Sequence, residues 1–132
     1  MKINFPKIET ALYLISTPIG TISDITFRAV NVLQNVNILL AEDTRVLRKL
    51  MNLLDIDLKG RIIRSYNDNS GDLVRSNYIL ELDRNKSIAL CCDAGTPLIS
   101  DPGFKLVKQV LNKGHKVISI PGACSALVAL CQ

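Results

Sequence analysis

A chain of 132 residues is large enough to bury a core of its own, and we predict a single domain over residues 1–132. Hydrophobic residues make up 48% of it, which argues against disorder, and no apolar run has the length of a membrane span. The net charge of +4 permits an acidic partner such as RNA but is weak evidence for one. The first residues lack the apolar core of a secretory signal, so we expect a cytoplasmic protein.

Five short apolar runs alternate with five helical patterns along the chain. The runs predicted as strands are residues 11–16, 38–41, 61–66, 88–92 and 116–120. The helical patterns cover residues 25–36, 46–54, 72–83, 104–113 and 125–131. This alternation is typical of a parallel sheet with helices on both faces and right-handed crossovers. We therefore predict an α/β fold, with the third strand near a sheet edge because its flanks are charged.

Local signals mark the ends of two of the predicted helices. Ser23 or Asp24 is expected to cap the first helix, and Asn37 to close it. Gly114 suits the position just after the last turn of the fourth helix. The single histidine, His115, follows in the turn before the fifth strand, and we expect it to be a solvated surface residue.

Four cysteines, at positions 91, 92, 124 and 131, lack the CxxC spacing of zinc or redox sites. Cys91 and Cys92 are adjacent in a predicted strand, so their side chains should point to opposite faces of the sheet. We predict free thiols that pack as small apolar residues, rather than disulfides or zinc ligands. The sequence has no clustered histidine, cysteine and carboxylate set, so we predict no metal site.

The segment from Asp93 to Gly103 is the most informative stretch of the sequence. It joins a predicted buried strand to a helix and is longer than the usual strand-to-helix connection of about 2–6 residues. Two prolines and two glycines stiffen it and leave backbone groups accessible. An ordinary turn, with Asp101 as helix cap and Pro102 at the first helical position, explains only its last residues. We interpret the part from Asp93 to Ile99 as a ligand loop.

Three loops that contain glycine or proline follow predicted strands, at residues 17–21, 93–103 and 121–125. The carboxyl ends of parallel strands share one sheet edge, where open α/β sheets bind their ligands. We expect residues 96–99 to line a cleft at this edge beside Ile19 and Ala123. None of these loops has the GxGxxG or Walker pattern, so the motifs for a dinucleotide or a nucleoside triphosphate are lacking.

Four motifs occur in the order LYLISTPIG at 12–20, AEDTR at 41–45, DAGTPLISDPG at 93–103 and IPG at 120–122. Together they resemble the ribosomal RNA small subunit methyltransferase I family, which belongs to the tetrapyrrole methylase superfamily. The resemblance runs from about Leu12 to the last residue. The second and third motifs are specific to this family, because the superfamily alone would show a GDP-type loop at the third position.

The resemblance implies methyl transfer from S-adenosylmethionine to the ribose 2′-hydroxyl of a cytidine in small-subunit (16S) ribosomal RNA. It implies two α/β domains with the cofactor in the cleft between them, and a five-stranded parallel sheet in the first domain. The chain corresponds to the amino-terminal domain alone and stops within an apolar helix, so we expect it to be truncated.

The resemblance also places the cofactor contacts in the three loops. The expected contacts are Pro18, Ile19, Gly20, Thr96, Pro97, Ile99, Ala123 and Cys124. Such contacts are largely backbone and apolar, which suits a sulfonium cation in a tight and dry pocket. Two departures from the family are visible: residues 65–69 lack its usual histidine, and its Pro-Gly-Pro-Ser is replaced by residues 121–124.

Charged residues after the second strand are candidates for chemistry and for RNA binding. Glu42 and Asp43 could supply a general base, which a weakly nucleophilic ribose hydroxyl needs. Asp43 is as well placed to cap the following helix. Three basic residues could contact RNA phosphates or could form an ordinary solvated helix face. They are Arg45, Arg48 and Lys49.

Two other functions stay open at this point. The chain could belong to a methylase of a tetrapyrrole or another small acceptor, although the AEDTR motif argues against this. It could also be a binding or assembly module, or a fragment without catalysis. We expect the isolated chain to fold, not to methylate RNA, and to form a homodimer, because a surface meant for a second domain would be exposed.

Overall fold

The computed structural model describes residues 2–99 and 103–132. Within them, five strands and five α-helices alternate along the chain. The strands are β1 Leu12–Ile15, β2 Ile38–Ala41, β3 Ile62–Ser65, β4 Ile88–Cys91 and β5 Val117–Ile120. The helices are α1 Phe27–Asn35, α2 Thr44–Leu53, α3 Asp72–Asp83, α4 Phe104–Asn112 and α5 Ser125–Leu130.

The five strands form one parallel sheet in the order β3-β2-β4-β1-β5. β4 lies in the centre, where Ile88 pairs with Leu12 on one side and with Ile38 on the other. The predicted parallel sheet is confirmed, and so is the edge position of β3. β1, β2 and β4 are buried along their whole length, which is why they occur as unbroken apolar runs in the sequence.

Helices cover both faces of the sheet, as predicted, and each face has its own apolar core. Tyr13 and Ile15 of β1 pack with α1 and α2, whereas Leu12 and Leu14 pack with α3 and α4. The alternation follows from the two-residue period of a strand. The cysteines are free thiols, as predicted, and Cys91 lies buried in the α1 and α2 core.

The start and end of α1 differ from the prediction. Ser23 and Asp24 belong to a short 3-10 turn, and Thr26 caps α1 by accepting a hydrogen bond from the Ala29 N–H at 3.0 Å. The chain is extended at Ile25, so the turn and the helix are separate elements. Asn37 does not close the helix, because its side chain instead accepts hydrogen bonds from the N–H and hydroxyl of Ser87.

The prediction for His115 is also wrong. Its side chain is only 19% exposed, and its Nε2 lies 2.7 Å from Oδ1 of Asp83 at the end of α3. The turn itself is as predicted, since Gly114 has a φ of 80° just after α4. That conformation lets the His115 N–H reach the Val110 carbonyl at 3.1 Å, which directs the imidazole toward α3.

Two further points concern the limits of the described part. The predicted helix cap Asp101 and helix start Pro102 lie outside the described residues, and Gly103 immediately precedes α4. Among residues 2–99 and 103–132, no helix has the length and apolar character needed to cross a membrane.

Candidate functional site

The loops that follow β1 and β4 are joined by backbone hydrogen bonds. The Thr17 N–H donates to the Gly95 carbonyl at 2.9 Å, and the Gly95 N–H donates to the Thr17 carbonyl at 3.0 Å. β1 and β4 are parallel neighbours in the sheet, and beyond their ends the two loops meet in an isolated antiparallel bridge. The first two predicted loops therefore form one connected unit.

A side-chain hydroxyl joins the third loop to this unit. The Thr96 hydroxyl donates to the Ala123 carbonyl at 2.9 Å, and its oxygen lies 2.9 Å from the Ser16 hydroxyl. Thr96 has one hydroxyl proton, so the Ser16 hydroxyl donates to the Thr96 oxygen. This chain of two hydrogen bonds links the carboxyl ends of β1, β4 and β5.

Two glycines let the loops approach each other closely. A Cβ at Gly122 would lie 2.7 Å from the Ser16 Cβ, so any side chain there would force one of the two segments to move. Gly95 has a φ of 83°, and a Cβ there would lie 3.4 Å from Ile19 Cγ2 and 3.9 Å from the Ala123 carbonyl oxygen. The predicted proximity of the three loops is thus confirmed around Gly95 and Thr96.

The other expected cofactor residues differ in their exposure. Pro97 is buried, Gly20 is exposed, and the remaining ones are half-buried except for Ile99, which is 63% exposed. The half-buried residues are Pro18, Ile19, Thr96, Ala123 and Cys124. Their contact with a cofactor stays a prediction.

Glu42 connects the end of β2 to the start of the β4–α4 loop. Its Oε1 accepts a hydrogen bond from the Asp93 N–H at 2.9 Å, and Asp93 Oδ1 accepts one from the Asp43 N–H at 3.1 Å. β2 and β4 are neighbours in the sheet. After β2 the chain continues to β3 at one edge, and after β4 it continues to β5 at the other edge. Such a divergence is where open α/β sheets bind ligands, so Glu42 lies at the expected place for a reacting group.

Asp43 caps α2, which was the alternative interpretation of this residue. Its Oδ1 accepts hydrogen bonds from the N–H of Arg45 at 2.9 Å and from Arg45 Nε at 3.0 Å, while Oδ2 accepts one from Nη2 at 2.8 Å. The hydrogen bonds from Arg45 lower the pKa of Asp43 to about 2. A carboxylate that weakly basic is a poor general base near neutral pH, so Glu42 is the stronger candidate of the pair.

The three basic residues predicted to bind RNA lie on α2. All three are exposed, and Arg45 is paired with Asp43. Lys49 contributes to a pocket of about 380 Å³, together with Asp93 and residues of the first loop. The pocket thus has one positive and one negative side chain beside the carboxyl edge of the sheet, and contact of Lys49 with RNA stays a prediction.

A family model described as Tetrapyrrole (Corrin/Porphyrin) Methylases matches residues 11–132. The chain belongs to this family. The match covers all five strands and the three loops joined at the carboxyl edge.

Curated relatives of this tetrapyrrole methylase chain are named ribosomal RNA small subunit methyltransferase I. The one from Halalkalibacterium halodurans is 44% identical over 119 residues, which are 90% of this chain and 40% of the relative. The one from Vibrio cholerae is 43% identical over 125 residues, which are 95% of this chain and 42% of the relative. The resemblance inferred from the motifs is confirmed, and the chain spans about two fifths of the length of these relatives.

Solved structures show the same tetrapyrrole methylase fold at low identity. A uroporphyrin-III-C-methyltransferase from Thermus thermophilus is 18% identical, has a TM-score of 0.67 and is matched over 92% of this chain and 50% of its own. A second structure from that organism, described as complexed with S-adenyl homocysteine, is 16% identical with a TM-score of 0.61 over 90% of this chain and 47% of its own.

Two contacts at this edge of the sheet involve residues that the sequence analysis missed. Ser16 is a buried polar residue at the end of an apolar run, directly before a turn, and this position was its only signal. Asp68 follows β3 and accepts a hydrogen bond from the Gly103 N–H at 3.3 Å. It was noted only as part of a segment that departs from the family.

Proposed function

We propose that this chain forms one wall of a methyltransferase site whose acceptor is small-subunit ribosomal RNA. The reaction is the transfer of a methyl group from S-adenosylmethionine to the ribose 2′-hydroxyl of a cytidine. The observation that carries the proposal is the hydrogen-bonded link from Ser16 through Thr96 to Ala123, which joins three loops at the ligand-binding edge of the sheet. The names of the relatives supply the class of acceptor.

The residues of the three loops fit S-adenosylmethionine by their chemistry. When bound, this cofactor supplies an electrophilic methyl group on a positively charged sulfonium. None of the eight expected contact residues, Pro18, Ile19, Gly20, Thr96, Pro97, Ile99, Ala123 and Cys124, carries a charge, so none would repel the sulfonium. The complex of a related fold with S-adenyl homocysteine supports the same cofactor class.

The backbone positions of the loops would set how the cofactor is held. The bridge between Thr17 and Gly95 and the hydroxyl of Thr96 fix the loops against each other in this chain. A site whose walls are already in place loses little conformational entropy when a ligand binds. It also orients the reacting groups, and orientation alone can supply several kcal/mol of a reaction barrier, about 7–11 in favourable cases.

Glu42 is the proposed general base. One of its carboxylate oxygens accepts the Asp93 N–H, which holds the side chain at the divergence of β2 and β4. A carboxylate at this position would accept the proton that the ribose 2′-hydroxyl loses when the oxygen of that hydroxyl is methylated. Asp43 would act indirectly, by holding the start of α2 and the side chain of Arg45.

Arg48 and Lys49 are the proposed contacts for RNA phosphates. Both are exposed on α2, the helix that starts directly after Glu42 and Asp43. Their charge would attract the phosphate backbone without reading its sequence. An RNA acceptor also agrees with the cytoplasmic location expected from the sequence.

The first experiment measures binding of S-adenosylmethionine to the chain by isothermal titration calorimetry. We expect Thr96→Val to weaken the affinity at least tenfold, because it removes both hydrogen bonds of the Thr96 hydroxyl and a loss of about 1.4 kcal/mol already corresponds to this factor. Thr10→Val is the matched control, since Thr10 is half-buried before β1 at the opposite edge of the sheet. Equal affinities for both variants would contradict the proposed site.

The second experiment tests the acceptor. Residues 11–132 replace the matching part of the Halalkalibacterium halodurans relative, and transfer of a labelled methyl group is measured. We expect label in small-subunit RNA and none in RNA whose target nucleotide lacks the 2′-hydroxyl. Labelling of uroporphyrinogen III instead of RNA would favour a small-acceptor methylase and overturn the proposal.

A further inference from the structure

The β4–α4 loop is held at its exit by a carboxylate from another connection. Asp68 lies in the turn between β3 and α3, and its Oδ1 accepts hydrogen bonds from the Gly103 N–H at 3.3 Å and from the Tyr66 hydroxyl at 3.2 Å. Gly103 directly precedes α4. The contact therefore lies at the point where the loop passes into the helix.

Buried groups hold Asp68 itself in place. The Arg75 side chain is 6% exposed, and it donates to the Asp68 carbonyl at 3.0 Å and to Asp72 Oδ1 at 2.6 Å. Tyr66 has no exposed surface, and burial raises the pKa of its hydroxyl to about 12. The hydroxyl is protonated at neutral pH and stays a hydrogen-bond donor to Asp68. Among the described residues Arg75 Nε has no hydrogen-bond partner, so the two terminal nitrogens make the contacts that hold Asp68 and Asp72.

The conformation of Gly103 makes the exit dependent on this contact. Its φ is 115°, and a Cβ there would lie 2.5 Å from Leu90 Cδ2 and 3.2 Å from Leu98 Cδ2. Leu98 has a φ of 76°, which is an uncommon and unfavourable conformation for a residue with a side chain. The surroundings must hold both residues in these conformations.

Carboxylates from two other connections thus anchor the two ends of the loop. Glu42 accepts the N–H of Asp93 at its entry, and Asp68 accepts the N–H of Gly103 at its exit. Thr96, which joins the three loops, lies between these two anchors. Gly103 packs against Leu98, two residues after Thr96, so loss of the exit anchor would free this part of the loop and let Thr96 lose its contact with Ala123.

We propose that Asp68 is a positioning residue for the cofactor loop and that it raises cofactor affinity without touching the cofactor. The inference rests on the proposed function for the identity of the ligand. A loop that occupies its binding conformation for a fraction of the time binds with an affinity reduced by that fraction. An Asp68 variant whose loop is competent about one tenth of the time would therefore bind about tenfold more weakly.

The test compares Asp68→Ala, Asp68→Asn and the matched control Asp83→Ala. Asp83 accepts a hydrogen bond on the opposite edge of the sheet, from His115. We expect the alanine change at Asp68 to weaken S-adenosylmethionine binding about tenfold by calorimetry. The asparagine change keeps an acceptor oxygen and should restore most of the affinity, and the control should leave it unchanged.

Hydrogen exchange of the Gly103 amide gives a measurement that does not depend on the cofactor. We expect Asp68→Ala to speed this exchange at least tenfold, with the amides of Leu39 and Leu90 in the sheet unaffected. Wild-type exchange at Gly103 together with wild-type affinity would overturn the inference, and so would an equal loss of affinity in Asp83→Ala. If neither the unmodified chain nor the chimaeric enzyme bound S-adenosylmethionine, the proposed function would fail, and exchange at Gly103 would still decide the anchoring role.

Tyr66→Phe covers the case in which Asp68→Ala does not fold. It removes one hydroxyl that donates to Asp68 and leaves the aromatic ring in the core. We expect faster exchange at Gly103 and weaker binding, both by smaller factors than for Asp68→Ala. A folded Tyr66→Phe chain with unchanged exchange and affinity would contradict the proposal.

Discussion

Substitution of Gly122 by alanine tests how tightly the third loop is packed on the end of β1. The new Cβ would lie 2.7 Å from the Ser16 Cβ, whereas ordinary contacts begin at 3.4 Å. One of the two backbones must therefore move by about 0.7 Å, the difference between these distances. Movement of Ser16 would also strain its hydrogen bond to Thr96.

The expected cost follows from the size of this overlap. Overpacking by one methyl group in a well-packed region typically costs about 1–3 kcal/mol. For a chain of 132 residues, each kcal/mol lowers Tm by roughly 4 °C. We therefore expect Gly122→Ala to lower the Tm by about 4–12 °C, with an unchanged m value in urea if the unfolded state is unaffected.

A double variant assigns this cost to the contact with Ser16. Ser16→Gly removes the Cβ that the new methyl group would meet, and the next atom, the Ser16 carbonyl oxygen, lies at an ordinary 3.5 Å. In that background Gly122→Ala should cost less than about 0.5 kcal/mol, which gives a coupling energy within the range for contacting residues. Urea unfolding followed by circular dichroism measures all four chains.

Two results would refute this reasoning. A Gly122→Ala chain with the wild-type Tm would show that the loop moves without cost. An equal loss of stability with and without the Ser16 side chain would show that the cost comes from elsewhere.

Three more predictions concern catalysis, pH and association. In the chimaeric enzyme, Glu42→Gln keeps an acceptor for the Asp93 N–H but cannot take up a proton. We therefore expect kcat to fall about 10²–10⁴-fold with little change in the Kd of the cofactor. Equal losses in kcat and in cofactor affinity would contradict the role of Glu42 as a general base. Because the pKa of Asp43 is low in the folded chain, its ionised carboxylate stabilises the fold above the unfolded pKa of about 3.9, and this stabilisation is lost as pH falls toward 2. The Tm difference between wild type and Asp43→Ala should therefore shrink between these two pH values. A Tm difference that stays constant would contradict this role of the carboxylate. Leu127 and Leu130 on α5 are 61% and 82% exposed, so sedimentation at high micromolar concentration should show a dimer that Leu130→Ser weakens, and a wild-type monomer would count against it.

The strands were predictable because buried parallel strands occur as continuous apolar runs. β2 and α3 have the predicted bounds, and the other strands are shorter than predicted by one or two residues. The order β3-β2-β4-β1-β5 was not predicted, because an apolar run does not specify its neighbours. The first helix start was missed since three capping residues, Ser23, Asp24 and Thr26, lie within four positions of the chain.

The parts of the site that were missed depend on contacts between distant segments. Ser16 and Thr96 are 80 positions apart, and Asp68 and Gly103 are 35 positions apart. No local pattern pairs such residues, whereas loop length and glycine content are local and did indicate the segment from 93 to 103. His115 was mispredicted for the same reason, because its partner Asp83 is 32 positions away.

The pattern of contacts separates residues that hold the loops from residues that would meet a ligand. Ser16, Asp68 and Glu42 each hold a backbone or hydroxyl group of the β4–α4 loop. Changes that remove these contacts should therefore act first on affinity, through the fraction of loops in the binding conformation. Glu42 alone among them also lies at the divergence of β2 and β4, where an acceptor would approach. A loss of turnover that exceeds the loss of affinity should accordingly occur at Glu42 and be absent at Ser16 and Asp68, and this contrast separates chemistry from positioning within one set of variants.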